Sequence, residues 1–232
     1  MDPLAVFGLD QNRDTPALIT PSASFSRRTL LRRAAAMGDR LREAGIRQGN
    51  VVLSLDNSDG FVVGLLGCLL GGTTPVLLDP LVKRELTSAV DLTGARAIIR
   101  RAGASSPLPD GVRGFAVDAG EAEPVAAAEI PESAPLVYLF TSGSTGKPTL
   151  VPKTFSQLEV EIRFLTGLFH APARVATLVP WCHIFGFIVS FLVPMHNGGV
   201  CDLAAGISPK RLLERASAGL LDLAVAVPAV YR

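Results

Sequence analysis

Between residues 50 and 100, three short apolar runs alternate with segments of helical length: Val51–Leu55, Thr74–Leu78 and Ala95–Arg100. That alternation leaves few folds open. Strands joined through a helix lie parallel, and a parallel sheet must be covered on both faces. Gly60–Leu70, almost wholly apolar, reads as a buried helix, and Lys83–Leu92 reads as the next one. Upstream, Ser26 is placed to N-cap a helix that runs to about Ala44, where Gly45 ends it. Downstream the spacing predicts strands at Leu136–Phe140, Leu150–Thr154, Arg174–Val179, Val200–Leu203 and Leu223–Val227. It predicts helices at Phe155–Phe169, His183–Val193 and Pro209–Ser217. Arg101–Gly114 and Glu121–Pro135 read as a loop and a surface connector. The expected fold is α/β, with largely parallel β-sheet layers flanked by helices. A first α/β subdomain is expected over about 1–135, and a second one beginning over about 136–232.

Composition narrows the function classes. With 48% hydrophobic and 19% charged residues the chain reads as globular. A net charge of +1 gives no field that would gather nucleic acid. The longest apolar runs, Phe61–Leu70 and Ile184–Val193, fall short of the ~20 residues a membrane span needs. Met1–Thr20 carries three aspartates and lacks a basic start with an apolar core, so no signal peptide is expected. Cys68, Cys182 and Cys201 are odd in number and widely spaced, which argues against a disulfide scaffold and for a reducing cytoplasm.

The stretch Leu139–Thr149, LFTSGSTGKPT, concentrates chemistry. Glycines let successive backbone N–H groups converge on an anion. The hydroxyls of Thr141, Ser142, Ser144 and Thr145 add neutral donors, and Lys147 adds a point charge. The Walker A spacing is not met, since Thr141 stands where its first glycine belongs and Pro148 follows the lysine. Proline disfavours the α region at Lys147, so the loop should run on into extended chain.

This stretch resembles the phosphate-loop signature of the AMP-forming adenylate-forming enzymes. That superfamily contains the acyl-CoA synthetases, the adenylation domains of non-ribosomal peptide synthetases and the luciferases. Three further passages are similar to the family's, in its order: Asn57-Ser58 after the first strand, Gly71–Pro80 (GGTTPVLLDP), and Pro180–Gly186 (PWCHIFG). Together they cover roughly residues 20 to 232. The resemblance implies ATP-dependent activation of a carboxylic acid to an acyl-adenylate with release of pyrophosphate. Transfer to a thiol, on coenzyme A or a carrier protein, follows. It implies that Thr141, Ser142, Gly143, Ser144, Thr145, Gly146 and Lys147 line the β- and γ-phosphates, with Thr145 the leading hydroxyl and Lys147 catalytic.

One position departs from the pattern. The family usually carries a second lysine just after the proline, and here Thr149 stands there. Lys153 is the next cation, but four residues of strand put it roughly 13 Å further along.

By the same resemblance Trp181, His183, Phe185 and Gly186 form the wall between the acyl pocket and the α-phosphate. His183 there orients the carboxylate and needs to remove no proton from it, since carboxylates are ionised at pH 7. Read on residue type alone, a histidine among apolar neighbours is usually a satisfied core group. No metal site is expected, because adjacent Cys182 and His183 cannot easily converge on one ion and no paired C-x-x-C spacing occurs. Asn57-Ser58 and Asp79 read as helix and turn caps.

The family's later signatures do not appear among the 232 residues. These are a Tyr-Gly-x-Thr-Glu passage that stacks adenine and binds Mg2+, a ribose-gripping aspartate, a hinge and a C-terminal lysine. The chain is therefore expected to correspond to the N-terminal part of such an enzyme, with Mg2+ ligands elsewhere. A short non-catalytic binding or interaction module that keeps the fold is the alternative, and Thr149 favours it.

Overall fold

The protein is described by a computed structural model covering residues 2–9, 14–82, 85–117, 120–124, 126–127, 129–142, 148–168, 173–206 and 208–227. In chain order, β1 (Pro16–Ile19) and β2 (Ser24–Ser26) precede α1 (Arg27–Glu43). There follow β3 (Asn50–Ser54), α2 (Asp59–Leu70), β4 (Thr74–Leu78), α3 (Glu85–Thr93), β5 (Ala97–Arg100) and β6 (Arg113–Ala116). Next come β7 (Pro135–Ser142), β8 (Pro148–Thr154), α4 (Phe155–Leu168) and β9 (Arg174–Thr177). A π-helix (Gly186–Leu192), α5 (Val193–His196), β10 (Val200–Asp202), α6 (Pro209–Ser217) and β11 (Leu223–Val225) complete the order.

The chain divides into two units, residues 1–4 with 29–156, and residues 5–28 with 157–232. The boundary expected near residue 135 falls after Ser156 instead. The reason is pairing: β7 lies parallel against β4, and β8 folds back on β7, so the whole hairpin belongs to the first sheet.

In the first unit the strand order is β6-β5-β3-β4-β7-β8, parallel throughout except for the β7–β8 pair. Alternate residues of each strand serve opposite faces. On one face Val52, Val76, Leu78 and Ile98 pack with Leu86, Ala89 and Val90 of α3. On the other, Leu53 and Ile99 meet α2, which approaches so closely that a Cβ on Gly64 would lie 3.4 Å from Ile99. With both faces covered, the central strands are apolar along their length, as expected of a parallel sheet.

Helix α1 starts directly after Ser26 and closes at Gly45, whose φ of 75° suits only glycine. The Gly45 N–H reaches Arg42 O at 3.0 Å and the Ile46 N–H reaches Leu41 O at 2.9 Å, which satisfies two of the end carbonyls. Helices α1 and α2 cross at glycines: a Cβ on Gly67 would sit 2.7 Å from Met37 Cγ and 2.8 Å from its Cβ.

The second unit holds the sheet β11-β9-β10-β1-β2, parallel except for β1–β2. The strands β1 and β2 were not expected. They are short, and β1 is a strand because Leu18 and Ile19 pair with Cys201 and Asp202, far along the chain. Asp202 is fully buried. Its Oδ2 lies 3.2 Å from Arg174 Nε and 2.5 Å from Arg215 Nη2, and its Oδ1 accepts the Ala204 N–H at 2.9 Å. The single helix expected over His183–Val193 is instead the π-helix followed by α5, because Pro194 cannot donate to the Ser190 carbonyl and the turn widens to avoid it. Among the described residues no helix is long and apolar enough to cross a membrane.

Two changes test this packing. Gly67→Ala should lower stability by about 1–3 kcal/mol, because the backbone of α1 must give way; chemical denaturation measures it. Asp202→Ala should cost about 3 kcal/mol, since two arginines lose a buried counter-charge, whereas a loss below about 1 kcal/mol would show the cluster to be passive.

Candidate functional site

Because β3, β4, β5 and β7 run parallel, their carboxyl ends open on one edge of the first sheet. Chain path sharpens this edge. β3 leads through α2 to β4 on one side, and β4 leads back through α3 to β5 on the other, with the two helices on opposite faces. Such a reversal leaves a crevice beyond the strand ends, where ligands of open α/β sheets bind.

The crevice is present. A cleft of about 490 Å³ lies beyond β3, β4 and β5, bordered by Asp56, Ser58, Asp79, Arg100, Arg101 and Ser105. Two of these groups serve the backbone, as expected: Ser58 Oγ accepts the Phe61 N–H at 3.2 Å and caps α2, and Asp79 Oδ1 accepts the Leu81 N–H at 2.9 Å. Arg100 and Arg101 are a feature that sequence reasoning passed over, although two cations directly after an apolar strand were a visible signal.

The phosphate-loop stretch leaves the sheet on the same edge. β7 enters beside β4 with Val76 opposite Tyr138 and Leu77 opposite Leu139. It then pairs antiparallel with β8, Thr141 opposite Thr149 and Ser142 opposite Pro148. Ser142 and Pro148 thus face each other at the carboxyl end of a strand that is parallel to β4. Thr141 and Ser142 are the last residues of β7, while Gly143, Ser144, Thr145, Gly146 and Lys147 lie outside the described residues. Thr149 is exposed, and Lys153 is half-buried opposite Val137, at the other end of the β7–β8 pair from Ser142.

The segment around His183 belongs to the second unit and splits into two environments. Trp181 is fully buried, its ring centroid 4.8 Å from that of Phe191, and Phe187 and Phe7 complete the aromatic cluster at 5.8 and 6.2 Å from Phe191. Gly186 is buried as well: a Cβ there would fall 2.1 Å from Pro180 O, so no larger residue fits. His183 and Phe185 point the other way. His183 is exposed and Phe185 retains 46% of its accessible surface. The backbone fixes the pair, since the His183 N–H reaches Pro180 O at 3.2 Å and its carbonyl accepts the Phe187 N–H at 2.8 Å. Within the set assigned to the acyl pocket, Trp181 and Gly186 are thus internal to the second unit's core, while His183 and Phe185 are exposed.

The AMP-binding enzyme family matches residues 8–232. A salicylyl-CoA synthase / salicylate adenylyltransferase of a Streptomyces species is 27% identical over 94% of this chain and 46% of its own length. Bacitracin synthase 3 of Bacillus licheniformis is 30% identical over 58% of this chain and 2% of that protein. Long-chain fatty acid transport protein 5 of Mus musculus is 31% identical over 60% of this chain and 21% of that protein. The chain thus spans less than half the length of these relatives. Among solved structures, apo MatB from Rhodopseudomonas palustris superposes with a TM-score of 0.85 at 18% identity, over 100% of this chain and 50% of that one. The fatty acid AMP ligase from Legionella pneumophila gives 0.85 at 17% identity, over 99% and 45%. At those identities the structures speak for the fold, which is the expected α/β arrangement of mostly parallel sheets. The match across nearly the whole sequence speaks for more: the chain belongs to the AMP-binding enzyme family.

Proposed function

We propose that this chain provides the nucleotide-phosphate loop and part of the acid site of an AMP-forming ligase. The enzyme activates a carboxylic acid to an acyl-adenylate and passes the acyl group to a thiol. The observation that carries the reading is the register of β7 and β8, which sets Thr141 opposite Thr149 and Ser142 opposite Pro148 at the carboxyl edge of a parallel sheet. The donor set of the stretch from Thr141 to Thr149 consists of hydroxyls, backbone amides and one lysine, with no carboxylate. That set suits the oxygens of ATP, which accept from hydroxyls, amides and an ammonium group.

In the first step a carboxylate oxygen attacks the α-phosphorus and the bond to the bridging oxygen of pyrophosphate breaks. Negative charge builds on the leaving pyrophosphate. In this reading Lys147 and the hydroxyls of Thr141, Ser142, Ser144 and Thr145 donate to that charge, and stabilising it lowers the barrier. His183 orients the acid, and Phe185 offers it an apolar face. In the second step the thiolate of coenzyme A or of a carrier protein attacks the acyl carbonyl and AMP leaves. The acid is taken as aryl or medium-chain, with the exposed Phe185 ring as its apolar contact. Three buried free thiols, Cys68, Cys182 and Cys201, are compatible with a reducing cytoplasm.

One observation favours a second reading. Thr149, facing Thr141 across the hairpin, replaces the cation that the family usually keeps beside the loop. A module that binds nucleotide without turning it over would tolerate that change.

Pyrophosphate exchange into ATP by the whole gene product, with benzoate, salicylate and octanoate offered separately, separates the readings. The ligase reading expects exchange with one class of acid and a loss of about 100-fold or more in Lys147→Ala. Nucleotide binding without exchange would leave the binding module. Thr149→Lys should tighten ATP binding in equilibrium dialysis, and more so at low salt, because it adds an exposed charge beside the phosphates.

A further inference from the structure

Seven residues of π-helix exceed the single wide turn that usually interrupts an α-helix, and such turns recur at functional sites. The cause is in the sequence. Pro194 has no N–H, and a proline ring collides with the carbonyl four residues earlier, which is that of Ser190. The helix widens accordingly, and the Val193 N–H reaches Ile188 O, five residues back. The buried Ser190 carbonyl is met from the sheet by two side chains. Thr177 Oγ1, at the end of β9, donates to it at 3.1 Å, and Cys201 Sγ, in β10, lies 3.6 Å away. Burial pushes the Cys201 thiol up to about 12, so it keeps the proton that it donates.

The two ends of this segment are held unequally. At the C-terminal end the buried Arg27 donates through Nη2 to Met195 O at 3.2 Å and to Gly199 O at 2.8 Å. His196 Nδ1 lies 3.0 Å from Val6 O. At the N-terminal end Trp181 and Gly186 pack inside, and only the run from His183 to Phe185 between them is exposed. A helix that gains or loses one residue in a turn rotates everything beyond it by about 100°. With the C-terminal end anchored, that rotation is delivered to His183 and Phe185.

We infer that Thr177 and Cys201 are positioning residues, which hold the Ser190 carbonyl and so fix the π register that aims His183 and Phe185 at the acid. The inference rests on the adenylation reading for the role of those two residues, and on the geometry of the second unit for the clamp itself.

The test has one arm that needs no substrate. The chain has three histidines, His170, His183 and His196, so ring proton–carbon spectra can be assigned with single His→Gln variants. Thr177→Val keeps the side-chain shape and removes the hydroxyl. It should displace the His183 ring signals and leave those of His196 in place, and Thr177→Ser should restore them. In pyrophosphate exchange with the preferred acid, kcat/KM for the acid should fall on the order of 10- to 100-fold, the cost of a misplacement of about 1 Å, with KM for ATP unchanged. If Thr177→Val does not fold, Cys201→Ala carries the same comparison. His183 signals that coincide with wild type in these variants overturn the inference, and so does His196 moving together with His183. A whole gene product that exchanges no pyrophosphate with any acid sinks the adenylation reading alone, while the ring spectra still decide the clamp.

Discussion

The parallel contact between β4 and β7, Val76 beside Tyr138 and Leu77 beside Leu139, is the pairing on which the candidate site depends. It sets the direction of β7 and therefore the edge at which Thr141 and Ser142 end it. An antiparallel contact there would put those two residues at the opposite edge, away from the ends of β3, β4 and β5. Because the pairing is parallel, β7 ends on the same side as the cleft bordered by Arg100 and Arg101.

The second unit is organised by buried polar groups more than by its short strands. Asp202 holds Arg174 and Arg215, which ties β10 to β9 and to α6. Arg27 gathers two carbonyls at the end of α5. Each is a charge or donor that would be costly to leave alone in the interior, so each fixes the backbone it touches. The Ser190 carbonyl follows the same logic at neutral groups. Pro194 cannot supply its donor, and Thr177 and Cys201 do so instead. A helix that could relax is thereby held in one register.

Close approach explains the glycines that matter here. Gly67 lets α1 and α2 touch, and Gly186 lets the turn after Pro180 fold against its own carbonyl. The second case shows how a motif residue and a packing residue coincide. In Pro180–Gly186 the glycine is required by the backbone and Trp181 by the aromatic core. The exposed run from His183 to Phe185 is what remains for chemistry.

The sequence by itself determined the α/β class, the alternation from β3 to β5, helix α6 at Pro209–Ser217 and the family. These follow from local properties: apolar runs of strand length, a helix stop at Gly45, and a loop whose donors recur in order. The tertiary structure decided what depends on distant partners. Strand β1 exists because Leu18 meets Cys201, and the unit boundary falls after Ser156 because β7 chose β4. The π-helix was illegible because seven consecutive buried or near-buried residues carry no periodicity to separate a wide helix from an ordinary one. The division of Trp181 from His183 was illegible too, since neighbours in sequence say nothing about which side the core lies on. Local propensity is written in a few adjacent residues, whereas register, burial and edge are properties of pairs, and the pairs form only when the chain has folded.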